Sequence, residues 1–82
     1  MKKMGIYLRQ KRELKGFTQA QVAIKLGFGS PQFISNIERG VSRVPLKSLR
    51  AFIELYEIPK EEIIEILMDE KRAHLKKTLG IE

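Results

Sequence analysis

Between Thr18 and Gly40 the chain reads TQAQVAIKLGFGSPQFISNIERG, two short amphipathic patterns separated by a glycine turn, with polar side chains where the second would face outward. In the first pattern Val22 and Ala23 share a helical face with Leu26 at i+4 and i+3 spacing, and Ile34 and Ile37 repeat the arrangement in the second. Steeply crossing helices approach closely only where a small side chain sits at the contact, and a helix ends cheaply on a residue that tolerates left-handed backbone. Ala23 and Gly27 meet those two needs.

The flanking sequence extends the pattern to five helices. The first is predicted over about Ile6 to Lys15, carrying Ile6 and Leu14 with Tyr7 and Leu8 alongside; Gly16 stops it and Phe17 drops into the core. Thr18 N-caps the second, with Gln21 as its capping-box partner, and this helix ends at Leu26. Ser30 caps the third, Pro31 takes its first position, where no amide is needed, and Gly40 ends it. Val41 to Val44 form a loop. Pro45 opens a fourth helix in which Leu46, Leu49, Ile53 and Tyr56 recur at three- and four-residue steps, with Phe52 and Leu55 widening the buried face. After a break near Glu57 and Ile58, Pro59 precedes a fifth, where Glu61 and Glu62 complement the helix dipole and Ile63, Ile64, Ile66 and Leu67 serve the core. Its pattern extends to Leu79, farther than closing the core requires. No stretch alternates like a strand and no internal repeat occurs, so the expected fold is all-α.

Eighty-two residues allow one domain, 1–82, with an expected core over about 5–67 and a helical extension over 68–82. A chain this short buries about 60 to 65% of its unfolded surface, which leaves little room for a multi-step enzyme. Cysteine is absent, which excludes a disulfide framework or thiolate metal site and fits a reducing cytoplasm. No apolar run approaches the ~20 residues of a membrane span, and the start lacks the apolar core of a secretory signal. His74, the single imidazole, lies among Lys71, Arg72, Lys76 and Lys77 with no acidic or nucleophilic partner at a meaningful spacing. Neither catalysis nor a cofactor is expected.

The net charge of +6 is unevenly spread. Residues 1 to 15 carry six Lys or Arg against one Glu, residues 30 to 50 carry four against one, and residues 51 to 70 carry one against seven. Lys2, Lys3, Arg9, Lys11, Arg12, Arg39 and Arg43 are therefore expected on a phosphate-facing side, with the acidic fifth helix turned away. Lys2 and Lys3 are expected as an arm along the duplex.

A helix fits the major groove, where each base pair shows a distinct donor and acceptor pattern. With Ile34 and Ile37 committed inward, Gln32, Ser35 and Asn36 occupy the outward arc of the third helix and are the candidate base contacts. Ser30, Arg39 and Arg43 flank that arc and are expected at phosphates. Phe33, four residues before Ile37, is expected to pack rather than meet a thymine methyl.

These residues resemble the DNA-binding domains of the lambda-repressor-like, Cro and Xre group of bacterial and phage regulators. The resemblance runs from about Ile6 to Leu67 and is densest in LRQKRELKGFTQ, ISNIERG and PLKSLRAFIELYEIPKEEI. It implies a phosphate bond from Gln19 and a structural ion pair between Arg12 and Glu38. Two departures stand out. Pro31 occupies a site that is often polar in such regulators, and the Gly27 to Ile34 interval is one residue longer than usual, the extra residue falling in the FGS turn.

Proteins of this kind bind as two-fold dimers on pseudo-palindromes. Met68, Leu75 and Leu79, apolar but beyond the core, are the candidate homodimer contacts. The implied function is a transcriptional regulator, a repressor, that binds double-stranded DNA. The alternative is an antitoxin-type module that holds a protein partner through its last helix.

Overall fold

Thr18 and Gly27 bracket the second helix by the chemistry their positions demand. The Thr18 hydroxyl accepts from the Gln21 amide at 3.0 Å, and the Gln21 side chain returns a bond to the Thr18 amide at 2.8 Å. Gly27 adopts left-handed backbone, φ 76°, which lets the Phe28 amide reach back to the Ala23 carbonyl at 2.8 Å. The computed structural model describes residues 2–81, so the outermost positions of the expected 1–82 domain, Met1 and Glu82, lie outside it. Five helices are formed, α1 (Lys2–Leu14), α2 (Gln19–Leu26), α3 (Gln32–Glu38), α4 (Leu46–Tyr56) and α5 (Lys60–Leu79). There is no strand among the described residues.

The core takes Met4 and Leu8 from α1, Val22 and Ala23 from α2, Ile34 and Ile37 from α3, Leu49, Phe52 and Tyr56 from α4 and Ile63 from α5. Val44 and Ile58 close it from the connections. An aromatic chain crosses this core, running Phe33, Phe28, Phe52, Tyr56 and Phe17 with successive ring centroids 4.6, 6.4, 5.6 and 6.5 Å apart. Phe33 packs, and Phe28 fills the longer turn, so the extra residue leaves Ile34 and Ile37 in register.

The first helix begins four residues before the predicted start, and it buries a different face. Lys2 and Lys3 are helical rather than an arm. Met4 and Leu8 are i, i+4 neighbours on the buried side, whereas Ile6 is 55% and Leu14 79% exposed. Ile6 precedes Leu8 by about 200° of helix, so the two cannot share a core. Gly5 is required for this docking. A Cβ there would sit 2.8 Å from the Glu38 carbonyl oxygen and closer still to that of Ile37. α1 therefore lies against the backbone of α3.

Two further predicted core positions face solvent, Leu46 and Ile64. Leu46 is the first residue of α4 and overhangs the core, while Ile63, Ile66 and Leu67 form the packed stripe of α5 and leave Ile64 outside it. Pro45 precedes α4 as its N-cap, with extended backbone, instead of occupying the first turn. α4 ends on Glu57, whose positive φ of 54° is uncommon for a residue with a side chain. From Lys71 to Ile81 the chain is exposed throughout.

Candidate nucleic-acid interface

Ile34 and Ile37 are each 1% exposed, which fixes the rotation of α3 and turns Gln32, Ser35 and Asn36 away from the interior. Gln32 is exposed, and Ser35 and Asn36 are half-buried at the edge of the arc. Pro31 has helical backbone, φ −68° and ψ −12°, and its carbonyl accepts from Ser35 at 3.0 Å. The Ser30 hydroxyl accepts from the Gln32 amide at 3.2 Å, so it satisfies a donor at the start of the helix.

The outward arc carries a bonded row that sequence reasoning missed. Gln32 Nε2 donates to Asn36 Oδ1 at 2.9 Å, and Arg39 Nη2 donates to the same oxygen at 2.7 Å. Spacings of four and three residues put all three on one strip of surface. Those spacings were visible in the sequence, but which side chain turns to which was not.

Behind α3 a second network joins three helices. Arg12 meets Glu38 through Nε at 2.7 Å and Nη2 at 3.1 Å, and its Nη1 donates to the Phe17 carbonyl at 2.8 Å. The pair is 11% and 3% exposed. Glu38 holds the Arg12 guanidinium proton more firmly than water would, raising its pKa chiefly through that hydrogen bond. Gln19 Nε2 also donates to Glu38, at 3.0 Å. One proton of the Gln19 amide is thus committed to the protein. Tyr56 lies close enough to feel both charges, but its buried hydroxyl has no hydrogen-bond partner among the described residues, and burial raises its pKa.

The predicted phosphate-facing set is divided by the structure. Arg12 is held by Glu38, Lys11 lies 3.8 Å from Glu62, Lys3 3.5 Å from Asp69, and Arg9 3.5 Å from Glu13. Tyr7 also donates to Glu62, and burial followed by that bond raises its pKa. Lys15 pairs with Glu57, whose carboxyl is held below its ordinary range by the lysine. The acidic flank of α5 thus lies against α1 and neutralises part of its charge. Lys2 packs beside Gly40 at the end of α3, and with Lys3, Arg43, Lys71 and His74 it lines a groove of about 610 Å³ that Asp69 and Glu70 also border. Cations from α1 and from the loop after α3 meet there.

Met68, Leu75 and Leu79 lie along one exposed side of α5 and, with Ile81, line a shallow apolar groove. No helix among the described residues is long and apolar enough to cross a membrane.

An arrangement of two short helices crossing at a glycine turn, the second presenting polar groups from an anchored inner face, defines a helix-turn-helix. A family model described as a helix-turn-helix domain matches residues 3–65, and the chain belongs to that family. This agrees with the lambda-repressor-like resemblance. Comparison with curated proteins finds no match, and neither does comparison with solved structures. Membership implies DNA binding, and such domains are typically not enzymes.

Proposed function

We propose that this protein is a sequence-specific regulator that represses transcription from the cytoplasm by occupying a pseudo-palindromic operator as a homodimer. The observation that carries the reading is the split character of α3, with Ile34 and Ile37 sealed inside and Gln32, Ser35 and Asn36 turned out. Those three are assigned to base edges, and Gln19, Ser30, Arg39 and Arg43 to phosphates. A recognition helix of this kind serves one half-site, and two-fold pairing sets two of them about 34 Å apart. Met68, Leu75 and Leu79 supply an apolar row for that pairing.

Selection of random duplexes by the purified protein at two salt concentrations tests the reading. The expected product is a pair of related half-sites one helical turn apart, and no enrichment would overturn it. Each phosphate neutralised adds about 0.9 to the slope of log affinity against log salt. Because Arg12 is committed to Glu38, a slope well below one unit per sequence cation is expected. Sedimentation equilibrium of the full chain against one ending at Asp69 tests the pairing; an equally monomeric pair of samples removes it. The same exposed row favours a second reading, an antitoxin-type module whose last helix holds a protein partner. A full chain that stays monomeric and selects no duplex would favour that reading.

A further inference from the structure

Asn36 has both lone pairs of its side-chain oxygen in use. Oδ1 accepts from Gln32 Nε2 and from Arg39 Nη2, and an amide oxygen has two such sites. A guanidinium carries donors and no acceptor, so Arg39 can face only the oxygen of Asn36. Arg39 therefore decides which way round the Asn36 amide sits. Asn36 in turn requires Gln32 to present its nitrogen, which leaves the Gln32 oxygen outward.

Reading adenine takes an acceptor for N6–H beside a donor for N7 on one side chain. Asn36 has no acceptor to spare while the row is intact. Gln32 has one, because its Oε1 is bonded to none of the described residues, and its Nε2 keeps a second proton on an exposed side chain. We infer that adenine reading by α3 is concentrated in Gln32, and that Asn36 and Arg39 are positioning residues that hold it. The inference rests on the DNA reading proposed above and gives Arg39 a part in specificity beyond its charge.

Random-duplex selection with the full chain and with Gln32→Ala, Arg39→Met and the double variant tests it, with a melting curve on each to establish that it is folded. The full chain should enrich adenine at one position per half-site, and Gln32→Ala should lose about 5- to 150-fold of that preference, the range of one bidentate contact. Arg39→Met should weaken preference at the same position alone. The double variant should discriminate no worse than Gln32→Ala, since residues acting through one another are not additive. Arg39→Lys, which keeps a donor for Asn36, should restore part of the preference.

A purely phosphate-bound Arg39 predicts otherwise. Arg39→Met would then weaken every duplex equally, lower the salt slope by about 0.9, leave the enriched sequence intact and add to Gln32→Ala, overturning the inference. Adenine preference that survives Gln32→Ala but not Asn36→Ala would overturn it as well. If the full chain enriches no sequence, the DNA reading itself fails and takes this inference with it.

Discussion

Replacing Gly5 by alanine should destabilise this protein by about 2 kcal/mol, although the same change in an exposed helix interior stabilises by about 1 kcal/mol. The added methyl would meet two main-chain carbonyl oxygens in the last turn of α3, Glu38 at 2.8 Å and Ile37 closer still. Neither can rotate out of the way. α1 and α3 must part, which loosens Met4, Leu8, Ile34 and Ile37 together. Overpacking that no side-chain movement relieves sits near the upper end of the usual penalty, about 3 kcal/mol, and the helix-propensity gain of about 1 kcal/mol offsets part of it. For a domain of this size the remainder lowers Tm by about 8 to 16 °C. Thermal melts followed by far-ultraviolet circular dichroism measure it, with Gly29→Ala as the companion. Gly29 has open space around it, so that variant should match the parent or gain about 0.4 to 1 kcal/mol. Should Gly5→Ala melt at or above the parent, the backbone contact between α1 and α3 does not govern their packing.

Glu38→Ala should cost about 3 to 5 kcal/mol in urea denaturation by stranding Arg12, whereas Asn36→Ala should leave the midpoint unchanged and weaken operator binding; the reverse pattern would refute both assignments. Tyr56→Phe removes a buried hydroxyl that has no partner among the described residues, so stability near neutral pH should hold or rise slightly. Burial raises the Tyr56 pKa, so its contribution is fully present below the unfolded value of about 10 and is lost as pH rises toward the folded one. Melts from neutral to strongly alkaline pH should show a shallower loss for the phenylalanine variant; an identical alkaline arm would contradict this. Tyr7, raised by burial and by Glu62, should account for part of the remaining loss.

The middle of the chain was the most legible because its signals are local. Thr18 with Gln21, Gly27, and the Ile34 and Ile37 pair each act within a few residues, and they set the limits and rotation of α2 and α3. The first helix was misread because Lys2, Lys3 and Gly5 look like a loose start in composition alone. Gly5 docks on the carbonyl surface of α3, more than thirty residues later, while Lys2 packs beside Gly40 and Lys3 pairs with Asp69. Ile6, Leu46 and Ile64 misled for a related reason: apolar residues one step off a buried stripe satisfy loose periodicity without reaching the core. The charge segments were read correctly as a sum but not as pairs. Lys3 with Asp69 and Lys11 with Glu62 depend on how α5 lies across α1, and Lys15 with Glu57 on where α4 ends beside it, which no local pattern encodes.

Because α3 is gripped from behind by Gly5, Ile34, Ile37 and Glu38, its front row carries almost none of the burden of folding. Exchanging Gln32, Ser35 or Asn36 changes the lettering without disturbing the type that holds it. A library varied only at those positions should remain overwhelmingly folded, which makes this small chain a ready frame for retargeting by replacement of its outer face.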